Sequence, residues 1–217
     1  MVPNDSRINM IKQQLRTNNI HQDNILSLFE TYSRAEFVPS VSKAFAYTDT
    51  HIPLGHEQIM LTPLEEAKII QSAKLKSSDR VLEIGSGSGF LAALLSHFCE
   101  EVLSIDYHPD FVRLSQENLS KHEIKNVTVQ HQDAMQLSGL NQHFDVIICS
   151  SAIEAIPEGW IKCLKSKGKI FAPIGLDKIQ NAQWIYFDHG QAQGHEFVFS
   201  GNLPHIINPA RREHFKF

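Results

Sequence analysis

Short apolar runs alternate with amphipathic stretches between residues 80 and 173, and this alternation predicts strands and helices in turn. The predicted strands are 81–84, 102–106, 127–129, 144–149 and 169–173. The predicted helices are 90–98, 109–119 and 157–164. Such alternation builds a parallel sheet that helices cover on both faces. Two more strands, 184–187 and 196–199, follow without an intervening helix, so we expect an antiparallel pair at the sheet edge.

The N-terminal part of the chain has a mainly helical pattern. Apolar residues at helical spacing predict a helix over residues 25–32, for which Asp23 is a candidate cap. A shorter helix is predicted over residues 7–16. In the stretch 47–61, proline and glycine interrupt the pattern and predict a loop.

A helix-start sequence follows this predicted loop. Thr62 is the expected cap, Pro63 suits the first helical position, and Glu65 completes a capping box. The helix is predicted to continue to about Lys74. It separates the N-terminal part from the strand–helix pattern.

The length and composition fit one globular domain. The chain has 217 residues, of which 42% are hydrophobic and 20% are charged. We therefore predict a single α/β domain over residues 1–217. Helices and a loop would occupy residues 1–75, and a Rossmann-like core would occupy residues 76–217. Its sheet should be mostly parallel, with the antiparallel strand pair at the C-terminal end.

The composition also argues against several kinds of site and partner. No apolar run approaches the roughly 18 residues that cross a bilayer, and the N-terminus lacks the apolar core of a signal peptide, so we predict a cytoplasmic protein. The cysteines Cys99, Cys149 and Cys163 are too widely spaced for a disulfide framework or a metal-binding pair. A net charge of −4, with no basic run beyond Arg211 and Arg212, argues against a nucleic-acid partner. The 12 histidines lack metal-ligand spacing, so we predict no metal, and the oligomeric state stays open.

A glycine-rich turn follows the first predicted strand, in the sequence Glu83-Ile84-Gly85-Ser86-Gly87-Ser88-Gly89. Glycines allow a sharp turn and the close approach of a ligand, although a tight strand–helix turn alone is an alternative. The spacing GxGxG differs from the GxGxxG of dinucleotide-binding enzymes, and the carboxylate of Glu83 would repel phosphates. The Glu83 carboxylate suits the cationic amino-acid end of S-adenosylmethionine, which we predict as the cofactor.

Carboxylates at the ends of two later strands extend this site. Asp106 ends the second strand, where it can accept hydrogen bonds from both ribose hydroxyls of the cofactor. Asp133 follows the third strand and could accept from the adenine amino group, or it could be a turn residue. These features favour the Rossmann-like fold of class I S-adenosylmethionine-dependent methyltransferases. The predicted cofactor-binding residues are Glu83, Gly85, Ser86, Gly87, Gly89, Asp106, Tyr107, Asp133, Ala134 and Ser150.

Segments outside the glycine turn also carry a family pattern. In the N-terminal part these are Gln13-Gln14-Leu15-Arg16, Arg34-Ala35-Glu36-Phe37-Val38 and Ile52-Pro53-Leu54-Gly55. The later ones are Phe144-Asp145-Val146-Ile147-Ile148, Ile156-Pro157, Leu164-Lys165-Ser166-Lys167-Gly168-Lys169 and Pro173-Ile174-Gly175. Together with the glycine turn, these segments resemble the protein-L-isoaspartate O-methyltransferase family over about residues 7–176.

The resemblance implies an enzyme that methylates the misplaced carboxylate of isoaspartyl residues in damaged proteins. Isoaspartyl proteins or peptides would then be its substrates and partners. Their carboxylate has a pKa of about 4 and is ionised at pH 7, so its attack on the sulfonium methyl group needs no general base. Catalysis would come from proximity, orientation and loss of water around the carboxylate.

The chain departs from the family's pattern in the active-site loop. The family has PIGxGQTISQP there, whereas residues 53–63 are PLGHEQIMLTP. Leu61 takes the place of the serine, Ile59 that of the preceding threonine, and Glu57 that of a glycine. The resemblance places the catalytic position at Leu61 with Thr62 beside it, although the Thr62 hydroxyl could instead cap the helix. The predicted substrate-binding residues are Pro53, Gly55, His56 and Met60.

These departures leave several hypotheses open. The first is an isoaspartyl methyltransferase that tolerates Leu61, since a hydrogen bond to a charged group contributes only about 1.5–3 kcal/mol. The second is a methyltransferase of the same fold that acts on a less polar acceptor. The third is a protein that binds S-adenosylmethionine without catalysis. A dehydrogenase is disfavoured by the glycine spacing. Residues 196–201 match the family's acceptor-site segment poorly.

Overall fold

The structure, a computed structural model, describes residues 4–137 and 139–207. Its N-terminal layer is helical. Helix α1 (Asn4–Asn9) continues through a π-helical turn (Met10–Leu15) into a 3-10 turn (Arg16–Asn18), and α2 (Asp23–Thr31) follows. Two further 3-10 turns, Arg34–Glu36 and Ser40–Phe45, complete the layer.

Both helices predicted in this layer are present, but the prediction of Asp23 as a cap is wrong. Gln22 holds the capping position with an extended backbone and makes no side-chain cap bond. Asp23 is therefore the first helical residue, where a negative charge suits the helix dipole. Its carboxylate pairs with Arg16 across an exposed gap of 3.4 Å.

A β-hairpin lies where the sequence predicted a loop, so that prediction is wrong. Strands β1 (Ile52–Gly55) and β2 (Gln58–Met60) pair antiparallel around a two-residue turn. The turn residues His56 and Glu57 have φ of +52° and +58°, as a type I′ turn requires. Glycine or asparagine normally marks such a turn, and here neither occupies the two central positions. We call residues 52–61 the acceptor hairpin, because they include the predicted catalytic position.

Helix α3 (Pro63–Ala73) starts as the sequence predicted. The Thr62 hydroxyl accepts from the Glu65 N–H at 3.2 Å, and the Glu65 carboxylate accepts from the Thr62 N–H at 2.8 Å. Both halves of the capping box are thus present. The helix ends before Lys74, which has a left-handed backbone with φ of +45°.

A seven-stranded sheet forms the centre of the structure. In chain order its strands are β3 (Arg80–Ile84), β4 (Glu101–Asp106), β5 (Val127–His131), β6 (Phe144–Cys149), β7 (Leu164–Ile174), β8 (Gln180–Asp188) and β9 (Gln191–Gly201). The connecting helices are α4 (Phe90–Leu95), α5 (Pro109–Lys121) and α6 (Glu158–Cys163). The spatial order is β5-β4-β3-β6-β7-β8-β9; the first five strands are parallel, and β8 runs antiparallel to both of its neighbours. The predicted fold class is confirmed.

Element boundaries differ from the predicted ones at several places. Helix α4 ends at Leu95, where the Ser96 hydroxyl donates to the Ala93 carbonyl over 2.7 Å and the chain turns. Strand β7 begins at Leu164, because this residue already pairs with Phe144 ahead of a register shift. Strands β8 and β9 are longer than their apolar runs, since polar residues continue the backbone pairing.

Alternate strand residues face two different cores. Val81 and Val102 pack with the N-terminal layer, α3 and α4 on one face of the sheet. Leu82 and Ile147 pack on the other face with residues of α6 that include Trp160. This period-two division is expected for strands buried on both faces. Within residues 4–137 and 139–207, no helix is long and apolar enough to cross a membrane.

Candidate active site

The carboxyl ends of β3 and β6 mark the point where the strand order reverses. From β3 the chain continues outwards through β4 and β5, and it then returns to the other side of β3 as β6. Loops that leave two such strands diverge and open a crevice, where ligands of open α/β sheets bind. In this chain the crevice is an open cleft of about 590 Å³.

The glycine turn lines this cleft and has a backbone that favours glycine. The φ angles are +97° at Gly85 and +49° at Gly87. A Cβ on Gly85 would lie 2.8 Å from the Ser150 hydroxyl oxygen, and one on Gly87 would lie 3.1 Å from Leu54 Cδ1. Glycine at both positions therefore keeps the backbone accessible at a place where a side chain would fill the crevice.

Asp106 is buried at the end of β4 and lines the same cleft. Its Oδ2 accepts from the Gly87 N–H at 3.0 Å and from the Ser86 hydroxyl at 3.2 Å. Its Oδ1 accepts from the His108 N–H at 2.9 Å. The carboxylate therefore holds the glycine turn against the end of β4.

Glu83 is wholly buried at the end of β3. One oxygen, Oε2, accepts from the Ser104 hydroxyl, while Oε1 has no hydrogen-bond partner among the residues that the structure describes. The pKa of Glu83 is raised to about 8, chiefly by burial; the Ser104 hydrogen bond acts to lower it, and the negative charge of Asp106 acts to raise it. The unpartnered oxygen is an acceptor suited to a cationic donor.

A smaller chamber of about 320 Å³ adjoins the cleft. The residues that line both cavities are Leu54, Ile59, Gly85, Gly87 and Ser150. Met60 and Leu61 add apolar side chains of the acceptor hairpin, and Glu66 and Glu83 add carboxylates. The chamber thus brings the glycine turn and the predicted catalytic position together.

Most of the residues predicted from the sequence line these two cavities. They are Met60, Leu61, Glu83, Gly85, Ser86, Gly87, Asp106, Tyr107, Asp133, Ala134 and Ser150. Asp133 also caps a 3-10 turn (Ala134–Gln136), because its Oδ1 accepts from the Met135 N–H at 2.8 Å. Asp133 therefore acts as a turn residue, the alternative that the sequence left open, and it also lines the cleft.

Five predicted residues lie outside the lining of both cavities, namely Pro53, Gly55, His56, Thr62 and Gly89. The Thr62 hydroxyl caps α3, so the structure does not support the prediction that it takes part in catalysis. Pro53, Gly55 and His56 lie on the exposed side of the acceptor hairpin. Gly89 lies behind the turn, against Ser115 of α5.

His56, at the tip of the acceptor hairpin, contacts the start of α5. Its Nε2 lies 2.9 Å from Asp110 Oδ2, and its ring stacks on that of His108 with centroids 4.0 Å apart and planes at 12°. These three side chains are the one group of metal-ligating residues that lies close together in the described parts of the chain. A metal in the plane of one stacked ring would lie about 4 Å from the plane of the other, so the arrangement favours packing over coordination.

Comparison with known proteins decides the family. A sequence profile described as protein-L-isoaspartate(D-aspartate) O-methyltransferase matches residues 5–196. The chain belongs to this family. The match includes the glycine turn and the acceptor hairpin, so the resemblance seen in the sequence is confirmed.

Relatives and a solved structure agree with this membership. The chain is 31% identical to the protein-L-isoaspartate O-methyltransferase of Methanoculleus marisnigri, over 81% of this chain and 80% of that protein. It is 32% identical to that of Gloeobacter violaceus, over 76% of this chain and 81% of that protein. A Plasmodium falciparum structure assigned as a protein-L-isoaspartate O-methyltransferase, solved with S-adenosyl-L-homocysteine, is similar with a TM-score of 0.75 and 20% identity, covering 93% of this chain and 96% of that chain. This last likeness supports the fold.

Several residues of the cleft were not predicted from the sequence. Leu54 and Gln58 belong to the acceptor hairpin, where the sequence pattern predicted a loop. Ile206 and Ile207 come from the segment after β9, where the Ile206 N–H donates to the Ala152 carbonyl at 2.9 Å. No local pattern identifies residues that reach the cleft through such distant backbone contacts.

Replacing Glu57 by glycine should stabilise the fold by about 1 kcal/mol, because an L-residue with a left-handed backbone is strained by roughly that amount. Glu57 has φ of +58° at the tip of the acceptor hairpin, and the family has glycine at this position. The measurement is the urea midpoint of the Glu57→Gly variant. Glu57→Ala is the matched control, since it removes the same charge and keeps a Cβ. Equal midpoints for the two variants would contradict the prediction.

Proposed function

We propose that this chain transfers the methyl group of S-adenosylmethionine to the carboxylate of isoaspartyl residues in damaged proteins. The observation that carries the proposal is the pair of adjoining cavities, which the glycine turn and the acceptor hairpin line together. The family match includes both of these segments. It therefore does not favour a methyltransferase with a different acceptor, a protein that binds the cofactor without catalysis, or a dehydrogenase.

The chemistry of the cleft fits S-adenosylmethionine. The buried, unpartnered Oε1 of Glu83 would accept a hydrogen bond from its ammonium group. Asp106 would accept from the ribose hydroxyls, in part by exchanging the Ser86 hydroxyl that it now binds. Gly85 and Gly87 allow the cofactor to approach the backbone closely. The other proposed cofactor contacts are Tyr107, Asp133, Ala134 and Ser150, and Gly89 shapes the turn from behind.

The chain's part in the reaction is to bind, orient and dehydrate the acceptor. When bound, S-adenosylmethionine supplies an electrophilic methyl group on a sulfonium centre. The isoaspartyl carboxylate is ionised at pH 7, so no residue has to remove a proton from it. Ile59, Met60 and Leu61 form an apolar wall that excludes water from the carboxylate. Pro53, Gly55 and His56, on the exposed side of the hairpin, are proposed as outer contacts of the protein substrate.

A methyl-transfer assay tests the proposed function. The protein is incubated with labelled S-adenosylmethionine and an isoaspartyl peptide, and the matching aspartyl peptide is the control. We expect a base-labile methyl ester on the isoaspartyl peptide alone. Cofactor binding in calorimetry, with no ester formed on either peptide, would exclude this function.

Leu61→Ser should give a kcat/KM for the isoaspartyl peptide about tenfold above that of Leu61→Ala, because a hydrogen bond to a charged group contributes about 1.5–3 kcal/mol. Both variants remove the same buried side chain from the core, which lowers stability by about 2–5 kcal/mol. Their comparison therefore isolates the hydroxyl. Equal kcat/KM values would show that the serine position no longer contacts the acceptor.

Binding of S-adenosylmethionine should strengthen as the pH rises from 6 towards 7.5. Burial raises the pKa of Glu83 to about 8, so the carboxyl is largely protonated at pH 6 without the cofactor. The cofactor's ammonium favours the ionised form, so binding should release a proton from Glu83. Calorimetry in two buffers of different ionisation enthalpy measures that release.

Glu83→Gln is the control for this linkage. It keeps the shape of the side chain and removes the titrating group, so both the proton release and the rise in affinity should disappear. A wild-type affinity that stays constant over this pH range would contradict the assigned role of Glu83.

A cytoplasmic location and the absence of a nucleic-acid partner or a metal stay predictions from the sequence.

A further inference from the structure

Arg34 is a charged residue buried between the N-terminal layer and the acceptor hairpin, with only 1% of its surface exposed. Its Nη1 donates to Glu66 Oε2, and its Nη2 donates to the carbonyl oxygen of Leu61. Its guanidinium carbon lies 5.3 Å from the centre of the Phe90 ring. One side chain thus connects α3, the end of the acceptor hairpin and the first residue of α4.

Stability alone does not account for the buried ion pair of Arg34 and Glu66. Removing two charges from water is unfavourable, and well-packed apolar residues in the same place are often as stabilising as a buried ion pair. An apolar pair could not donate a hydrogen bond to the carbonyl of Leu61. Of the two hydrogen bonds and the ring contact that Arg34 makes within the described residues, this bond acts on the hairpin itself, since Glu66 and Phe90 belong to helices.

The hydrogen bond from Arg34 to the Leu61 carbonyl matters because of where Leu61 lies. Leu61 lies between the last residue of β2 and Thr62, which caps α3, and its side chain lines the chamber beside the glycine turn. Phe90 directly follows Gly89, at the end of that turn. A guanidinium that binds the Leu61 carbonyl and packs on Phe90 sets the separation of the two walls of the chamber.

We propose that Arg34 is a positioning residue of the acceptor site, held in place by Glu66, which fixes the hairpin wall at Leu61 against the glycine turn. It touches neither cofactor nor acceptor in this role. The proposal deepens the proposed function and rests on it where acceptor binding is measured. It also predicts the mobility of the hairpin, which can be measured without any activity.

The test replaces both partners by apolar residues in the double variant Arg34→Met, Glu66→Leu. Its urea midpoint should stay close to that of the wild type, because no charge is left unpaired. Amide hydrogen exchange of residues 59–61 should become at least tenfold faster, and the KM for the isoaspartyl peptide should rise at least tenfold. The Kd for S-adenosylhomocysteine should change by less than threefold. Arg80→Met, Glu101→Leu is the matched control, since it makes the same replacements in a half-exposed ion pair at the opposite end of β3, and it should leave exchange at residues 59–61 and KM within threefold of wild type.

Wild-type exchange at residues 59–61 in the folded double variant would overturn the proposal, whatever the activity. If the double variant does not fold, Arg34→Lys gives the same test. It keeps a positive charge beside Glu66 but cannot span both acceptors as the guanidinium does. A wild-type protein that forms no isoaspartyl ester would contradict the proposed function alone, because the exchange measurement still decides the role of Arg34.

Discussion

Replacing Asp106 by alanine should weaken the binding of S-adenosylmethionine by about 3 kcal/mol, roughly a hundredfold in Kd. The carboxylate is buried at the end of β4 and lines the cleft, where two ribose hydroxyls would donate to it. Each hydrogen bond to a charged group contributes about 1.5–3 kcal/mol, so the loss of two is a large effect. Isothermal titration calorimetry with the cofactor measures it.

Asp106 also supports the glycine turn, so the result needs a variant that separates the two roles. The carboxylate accepts from the Gly87 N–H and the His108 N–H, one on each oxygen. Asp106→Asn keeps one acceptor oxygen, and we expect a loss of about tenfold in Kd, between the wild type and the alanine variant. Asp23→Ala, which removes an exposed charge far along the chain, should leave the affinity unchanged. An unchanged Kd in folded Asp106→Ala would show that the ribose lies elsewhere.

The cofactor half of the site could be predicted because it depends on strand ends. Parallel strands bring their carboxyl ends to one edge of the sheet, so residues such as Gly85, Asp106 and Ser150 come together once the strands are recognised. The capping box at Thr62 could be predicted for a similar reason, since its partners lie only three residues apart. In both cases the sequence pattern and the contact have the same local cause.

The family resemblance placed Met60 and Leu61 in the acceptor half, but the fold of this half could not be predicted because its contacts are not local. The hairpin turn has a left-handed backbone at His56 and Glu57, two residues that seldom adopt it, so the sequence showed a loop. Arg34 and Glu66 are 32 residues apart and come from different elements, and neither looks buried in a sequence pattern. The contacts that stabilise this turn and this buried ion pair come from tertiary packing, which a local sequence pattern does not show.

Replacing Gly89 by alanine should lower the free energy of unfolding by about 3 kcal/mol. Gly89 has φ of +83°, where a side chain is strained by about 1 kcal/mol. The new Cβ would also lie 2.6 Å from the Ser115 hydroxyl oxygen and 3.2 Å from the Ser115 backbone. Overpacking of this kind contributes roughly 1–3 kcal/mol more, because backbone atoms cannot move aside. The urea midpoint and slope measure the loss.

Two comparisons separate the causes of that loss. Gly159→Ala introduces the same methyl group in α6, and it should stabilise the helix by up to about 1 kcal/mol. Apart from its chain neighbours and the backbone of α6, no heavy atom of the described residues lies within 4 Å of that methyl group. Adding Ser115→Ala to Gly89→Ala removes the hydroxyl but keeps the backbone contact and the positive φ, so we expect only partial recovery. Full recovery would mean that the hydroxyl alone resists the methyl group. A Gly89→Ala protein as stable as the wild type would show that α4 and α5 can separate there, and that the glycine turn does not need its third glycine for folding.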